Sequence, residues 1–387
     1  MQQPDFPIRE FHVRPEDFPD ASPTSFLPPF MYFEPWVLDA ERRDVFPTSW
    51  TLVGDVSGLT EPGDFLTETV DQQPLLVLRD GTGRLRCFAN VCRHRGCTLL
   101  EGRGNAGRSI VCPYHHWSYD LQGALRGVPF RGEFEFDIDV ERLGLHEIRL
   151  ESWERFAFVN ISGDAAPLRE CLGPVAEELS SHRIGEMQCL NTIDEVRYGN
   201  WKIHVDNAYC AYHFAMVHPT TLYPSQSRTG LTFELSEHVG CSYIPWKGLE
   251  QASDNEWGIQ GRAARGSLNI ALFPNLFIGA LPNGRLTVLE WTPVSVEETR
   301  LRAWSYGFAT AAEVAAEPQR QRMVLDEDFE VVRRTHDGMR SPLYQRPGPR
   351  HYRELRIYNF HRRLVQLLRV GVEERQDTVR RDQLPQR

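Results

Sequence analysis

Cys92-Arg93-His94-Arg95-Gly96 and, with seventeen residues between His94 and Cys112, Cys112-Pro113-Tyr114-His115 are the two stretches on which the reading of this sequence turns. Each carries one thiol and one imidazole at close spacing. In an extended chain, residues two apart point to the same side, so Cys92 and His94 can converge on one centre. Cys112 and His115 flank a Pro-containing turn that can bring both side chains to one point. Two such loops facing each other make a four-ligand site. Around them, from residue 50 to 161, short apolar runs at 75–78, 85–88, 110–111, 148–150 and 156–161 are punctuated by Gly, Asp and Asn, which is the pattern of an all-β unit.

Cys and His are ordinary ligands of tetrahedral zinc. They are equally the ligands of a Rieske-type two-iron, two-sulfide cluster, in which two Cys hold one iron and two His the other. The one-residue gap of Cys92-x-His94 is tighter than zinc-finger spacing, and the β-rich surroundings also favour the cluster. Four structural residues falling at ligand spacing by chance are the bland alternative.

The chain has 387 residues, and compact domains usually run to about 100–200, so two are expected. With 41% hydrophobic and 25% charged residues it has a globular composition, which excludes collagen-like, mucin-like and wholly disordered classes. A formal charge of -10 without a clustered excess of Lys and Arg argues against nucleic-acid binding. The opening Met1-Gln2-Gln3-Pro4-Asp5-Phe6 has neither the basic nor the apolar region of a secretory signal. No apolar run approaches the roughly 18–20 residues that span a bilayer, so a cytoplasmic protein without membrane contact is expected. Eight cysteines in a reducing compartment are not expected to form a disulfide framework, which leaves metal binding as the question to ask of them.

Three regions are expected: an arm over 1–46, an all-β domain over 47–162 and a second domain over 163–387. The arm is rich in Pro, which discourages long helices, and at most one helical turn is expected near 38–45. A helix is expected within 164–187, a strand over 193–203, a helix over 205–217 and an irregular lid or pocket wall over 219–266. Strands follow at 268–278, 286–291 and 301–308, then amphipathic helices at 313–335 and 353–368, with fraying expected from Glu373.

The second constellation lies in Asp206-Asn207-Ala208-Tyr209-Cys210-Ala211-Tyr212-His213-Phe214-Ala215-Met216-Val217-His218-Pro219. Residues five apart on a regular helix point about 140° apart, so His213 and His218 can share a metal only where the helix loosens before Pro219. A mononuclear Fe(II) site that activates O2 needs two His and one carboxylate on one face, with the opposite positions open. Asp326-Glu327-Asp328 offers three distant acids, although an acidic cluster on a helix is more often a solvated face.

The run from Asn90 to Gly96, together with Cys112-Pro113-Tyr114-His115-His116-Trp117-Ser118-Tyr119-Asp120, closely resembles the Rieske domain of the large subunit of Rieske non-haem iron oxygenases. The segments Gly123-Ala124-Leu125 and Phe156-Ala157-Phe158-Val159-Asn160 are similar to that family too. Asn200 to Pro219 resembles its iron-binding segment, and Glu327-Asp328 followed by His336-Asp337-Gly338-Met339 resembles its third-ligand helix. The likeness runs from about residue 35 to 370. It implies an α+β chain, a Rieske all-β domain followed by a helix-grip, START-like catalytic domain with an antiparallel sheet. It makes Cys92, His94, Cys112 and His115 ligands of a 2Fe-2S cluster. It makes His213, His218 and Asp328 ligands of a mononuclear Fe(II), with Glu327 as runner-up to Asp328. The activity it implies is that of a terminal oxygenase, with mono- or dioxygenation of a small aromatic or alkylamine substrate. Electrons would come from NAD(P)H through a flavin and iron–sulfur reductase, with or without a ferredoxin, and no flavin would sit in this chain. The usual assembly is a head-to-tail homotrimer.

Three positions depart from the family. His116 stands where Gly is common, and His336 where Gln is usual. In similar enzymes a carboxylate three residues before the first iron His bridges it to the cluster His of the next subunit, and here that position is Cys210. A protonated thiol is a poor acceptor and carries no charge. Asp206, one helical turn earlier, or a water is expected to replace the bridge, with Asn207 near the iron. Phe214, Tyr223, Tyr243, Trp246, Phe273, Phe277 and Trp291 are candidates for an apolar pocket or an ammonium cage. The competing function is an electron-carrier or ligand-binding protein in which Cys210 has disabled catalysis.

Overall fold

The computed structural model describes residues 14–227, 230–308 and 310–382. Its strands form two seven-stranded sheets and one three-stranded sheet. The first large sheet runs in the order Thr51–Asp55, Phe156–Asn160, Glu147–Trp153, Leu85–Ala89, Gln73–Arg79, Asp64–Val70, Arg103–Asn105, with every pairing antiparallel. Ser109–Val111, Ser118–Asp120 and Leu125–Gly127 make the small sheet; the Cys112 and His115 loop joins its first two strands, and the Cys92 and His94 loop lies between Leu85–Ala89 and Arg103–Asn105 of the large sheet. This is the all-β unit read from the short apolar runs.

The second large sheet is antiparallel in the order Gln188–Tyr198, Glu298–Gly307, Arg285–Pro293, Leu276–Ala280, Gly266–Leu272, Val239–Pro245, Thr232–Leu235. Side chains alternate across a strand, so one sheet serves two cores. Ala271, Leu289, Trp291, Leu301 and Ala303 face the helices Trp201–Tyr209, Ala311–Met339 and Leu355–Asp382. Leu268, Ile270, Leu272, Leu286 and Val288 face the opposite way, toward Trp50 and toward Phe156 and Phe158 of the first sheet. Arg302, buried on the strand Glu298–Gly307, ties the two sheets together. It donates to Leu52 and Val53 carbonyls at 2.7 and 2.8 Å, and to Glu68 and Glu290 at 2.6 and 2.7 Å.

Several elements differ from the sequence expectation. The arm holds a ten-residue helix, Pro35–Asp44, because Pro35 occupies its first turn, where a missing N–H costs nothing. That helix docks on Trp201–Tyr209 through buried Glu41, which receives Lys202 Nζ at 2.7 Å and Trp201 Nε1 at 2.8 Å. The helix expected within 164–187 is broken into Leu168–Leu172 and Pro174–Glu178 by Gly173 at φ +54°, followed by two 3-10 turns. The strand expected over 193–203 ends at Tyr198, where Asn200 caps the next helix by accepting from Lys202 N–H. The run 268–278 is two strands, not one, turning at Phe273 to Asn275. The wall 219–266 contains the strands Thr232–Leu235 and Val239–Pro245. The last helix continues past Glu373 to Asp382 instead of fraying there. No described helix is long and apolar enough to cross a membrane.

Candidate metal centres

The two Cys/His loops are built to one plan. Cys92 N–H donates to the Cys97 carbonyl at 2.8 Å and Gly96 N–H to the Cys92 carbonyl at 3.0 Å. Cys112 N–H donates to the Trp117 carbonyl and His116 N–H to the Cys112 carbonyl at the same two distances. The fourth residue after each Cys is left-handed, Gly96 at φ +74° and His116 at φ +55°. This is why Gly suits position 116, and the His there departs from that preference at a backbone cost. Both thiols are buried. The rings of His94 and His115 lie 4.6 Å apart, and Trp117 stacks on His94 at 4.7 Å. His94 Nδ1 is buried without a hydrogen-bond partner, as a nitrogen reserved for a metal would be. Tyr119, which sequence reasoning passed over as a site residue, places its hydroxyl 3.4 Å from Cys92 Sγ.

Among the described residues, His213, His218 and Asp328 form the one group of three or more such donor atoms lying within 4.8 Å of one another. Cys92, His94, Cys112 and His115 are therefore not drawn round a single point. A tetrahedral zinc would hold its donors about 3.3–3.8 Å apart, so the wider set fits the two-iron cluster.

The helix carrying the second constellation stops at Tyr209, and Cys210 is extended at φ -79°, ψ 129°. The chain resumes as the single turn Phe214–Val217, with His213 at its start and His218 at its end. This break brings together two imidazoles that a continuous helix would separate. Asp328 comes from the long helix Ala311–Met339. Its Oδ1 lies 3.0 Å from His218 Nε2 and 3.5 Å from His213 Nε2, and accepts from Asn207 Nδ2 at 2.8 Å. Glu327, the runner-up, sits on the far side of His218. Its Oε2 lies 2.7 Å from Nδ1 and receives Thr221 Oγ1 at 2.7 Å.

Burial pushes His213 down to about 4 despite the pull of Asp328, so it is neutral and ready to coordinate. Burial also opposes charge on His218, but bonds to Asp328 and Glu327 outweigh it and raise its pKa. Burial works to raise Asp328, yet its bonds to His218 and Asn207 hold it below the ordinary value. His336, the third departure, uses Nδ1 to accept from Asn200 N–H at 3.1 Å and so anchors the start of the iron-site helix.

Asp206 does not replace the missing bridge. Its carboxylate is taken by Tyr32 Oη at 2.7 Å and His361 Nε2 at 2.8 Å, which fasten it to the arm and the last helix. The carboxylate beside Cys210 is Glu354, with Oε1 3.7 Å from Sγ. No local signal announced it, because it comes from a turn far along the chain.

An apolar cavity opens on the His213, His218 and Asp328 group. Of the candidate aromatics, Phe214, Phe277 and Trp291 line it. Phe273 packs on Phe360, Tyr243 lies under Arg262, and Trp246 donates to Ser267 Oγ, so these three are supports. The Tyr223 side chain lies outside the described residues.

The family described as "Rieske [2Fe-2S] domain" matches residues 49–146, and that described as "Ring hydroxylating alpha subunit (catalytic domain)" matches 187–369. The chain is 32% identical over 210 residues to the carnitine monooxygenase oxygenase subunit of Acinetobacter pittii, covering 53% of this chain and 56% of that one. It is 27% identical over 315 residues to the large oxygenase component of the 2,4-dinitrotoluene dioxygenase system of a Burkholderia species, covering 71% and 69%. The matches thus span about half the length of several curated relatives. The fold superimposes on the quaternary ammonium Rieske monooxygenase CntA in complex with L-carnitine, with a TM-score of 0.77 at 24% identity, over 89% of this chain and 95% of that one. With a Rieske [2Fe-2S] domain followed by a ring-hydroxylating alpha-subunit catalytic domain, the chain belongs to the Rieske non-haem iron oxygenase large subunits.

Proposed function

We propose that this chain is the terminal oxygenase component of a multicomponent system that hydroxylates a small aromatic or alkylamine substrate, using O2 and electrons from NAD(P)H. One observation carries the reading: a two-His, one-carboxylate group opens on an apolar cavity in the same chain as the paired Cys/His loops. When bound, a 2Fe-2S cluster and a mononuclear Fe(II) supply one-electron storage and O2 activation.

The chain's own residues set the terms for that chemistry. Cys92, His94, Cys112 and His115 would hold the cluster, and His213, His218 and Asp328 the mononuclear iron. Glu327 engages His218 Nδ1, which fixes Nε2 as the metal-facing nitrogen. Asn207 restrains the Asp328 oxygen that faces both imidazoles. Phe214, Phe277 and Trp291 keep the adjacent space apolar and exclude water from the substrate. Relatives named for carnitine, glycine betaine, dinitrotoluene and anthranilate support both the alkylamine and the aromatic class.

The proposed assembly is a homotrimer, with His115 of one subunit serving His213 of the next, and a flavin and iron–sulfur reductase, or a ferredoxin, as donor. The proposed division is an arm over 1–46, a Rieske domain over 47–162 and a catalytic domain over 163–387. EPR of the anaerobically reduced protein with nitric oxide tests both centres together. A reduced Rieske signal with a high-spin iron–nitrosyl signal is expected. A Rieske signal without the nitrosyl in iron-replete protein would replace this reading with that of an electron carrier.

A further inference from the structure

The sheet floor of the iron-site cavity is crossed by two rows of paired residues with different chemistry. Phe277 and Leu289, opposite each other on neighbouring strands, make an apolar row. The row beside it is Asn269, Gly279 and Thr287, also paired strand to strand. Alternation along Gly266–Leu272 turns Leu268 and Ile270 to the other core and so points Asn269 at the cavity. Asn269 is 5% exposed. Its backbone carbonyl accepts from Arg356 Nη1, but among the described residues its side-chain amide has no partner. The Thr287 hydroxyl on the same row has none either. Gly279 leaves the floor between them bare, since a Cβ there would press to 3.1 Å from the Phe277 ring and stand 3.7 Å from Asn269 Oδ1. A half-buried amide left unpaired costs stability unless a ligand takes its hydrogen bonds.

Size and charge narrow that ligand. The void is about 120 Å3. An apolar cavity of roughly 150 Å3 takes up benzene, so this one holds one ring and not two. Among the described residues, no acid lines it except the metal-facing Asp328, and the polar walls Gln226, Ser267 and Gln321 are uncharged. The cavity's aromatic faces are already engaged by cations: Arg197 Cζ lies 3.9 Å from the Phe329 ring centroid, and Arg356 Cζ lies 5.9 Å from that of Phe277. Arg320 adds a third guanidinium in the wall, paired with Glu317 at 2.8 and 2.6 Å. A cationic ligand would meet rings whose faces are occupied and repulsion from behind them.

We propose that the substrate of this site is an uncharged single-ring aromatic whose one polar substituent is received by the Asn269 amide over the bare floor at Gly279. The proposal rests on the oxygenase reading and narrows it away from quaternary ammonium compounds. Phenol and toluene are the probes, since they exchange a hydroxyl for a methyl in the same space, and tetramethylammonium tests the charge. Binding to the anaerobic, metal-loaded protein is measured by equilibrium dialysis in sealed cells. A wholly apolar cavity would favour toluene by about tenfold, because burying an unpaired hydroxyl costs that much. Here phenol should bind at least as tightly as toluene, and tetramethylammonium more than about tenfold more weakly than phenol. In Asn269→Leu, which is similar in size, the ratio of phenol to toluene affinity should fall about tenfold without a loss of melting temperature. Coordination of the phenol oxygen by iron is common to both proteins and drops out of that change.

Toluene bound more tightly than phenol by the wild type, an unchanged ratio in folded Asn269→Leu, or tetramethylammonium bound as tightly as phenol would each overturn the assignment. The wild-type ranking decides it alone should the variant not fold. Nitric oxide EPR on the same samples separates the two readings. A nitrosyl signal with toluene preferred overturns the polar subsite and leaves the oxygenase. An Asn269-dependent phenol preference without a nitrosyl signal keeps the subsite and removes the oxygenase.

Discussion

Cys210 Sγ lies 3.7 Å from Glu354 Oε1, so the thiol three residues before His213 donates to a carboxylate brought from the turn that precedes the last helix. Burial pushes the Cys210 thiol up to about 12, which keeps it a donor at neutral pH. A carboxylate therefore stands one side chain beyond position 210. Glu354→Gln should slow single-turnover oxidation of the reduced cluster by about tenfold, the cost of roughly 1.4 kcal/mol in a barrier. Cys210→Asp in the same background should restore most of the rate. Glu354 Oε2 also accepts from His351 N–H at 2.7 Å, so an unchanged rate with a lowered melting temperature would reduce Glu354 to a helix cap.

Asp328 and Glu327 are adjacent acids with separable roles, because they meet opposite nitrogens of His218. Asp328→Ala removes a donor and should leave protein without mononuclear iron after gel filtration. Glu327→Gln keeps all three ligands but loosens the ring, and partners of this kind typically contribute about 10–100-fold in metal affinity. Iron content and competition with a chelator measure both variants, while the cluster's visible absorbance should be the same in each. Equal iron loss from the two would mean that Glu327 is itself a ligand.

What the sequence made legible was local. Cys92, His94, Cys112 and His115 announce themselves because each pair sits in one short loop, and short apolar runs between Gly, Asp and Asn exposed most strands. The break at Cys210 was legible only as a requirement, since His213 and His218 could not otherwise meet. Glu354 beside Cys210 and the capture of Asp206 by Tyr32 and His361 both depend on contacts between distant segments. No spacing rule reports such contacts. The helix Pro35–Asp44 was missed for another reason: proline was counted as a breaker at the one position where it initiates.

His116 carries a side chain at φ +55°, the place that Gly96 fills at φ +74° in the sister loop. A non-glycine residue in the left-handed region costs about 1–2 kcal/mol, and glycine gives back roughly 0.5–1 kcal/mol through its freer unfolded chain. His116→Gly should therefore stabilise the Rieske loop by about 0.5–1 kcal/mol. Guanidinium unfolding followed by cluster absorbance checks it. A loss of stability would show that the exposed imidazole makes an interaction worth more than the backbone relief.

His182 sets an acid limit on the fold. It is fully buried at the end of the 3-10 turn Ser180–His182, and burial drives its pKa to about 4 despite the pull of the Leu281 backbone. The folded chain thus keeps this ring neutral while the unfolded chain protonates it below its ordinary value of about 6.5. Between those two values the unfolded state binds the extra proton, so stability falls as the pH falls. From pH 7 to 4.5 the loss attributable to this one group is about 2–3 kcal/mol. His182→Gln pays its own pH-independent price but does not titrate, so its stability should decline less than the wild type's over that interval by about this amount. Carboxylates that protonate in the same range are shared by both proteins and cancel in the comparison. Chemical denaturation of both at pH 7 and 4.5 makes the measurement, and parallel losses would show that the buried ring is protonated in the folded protein.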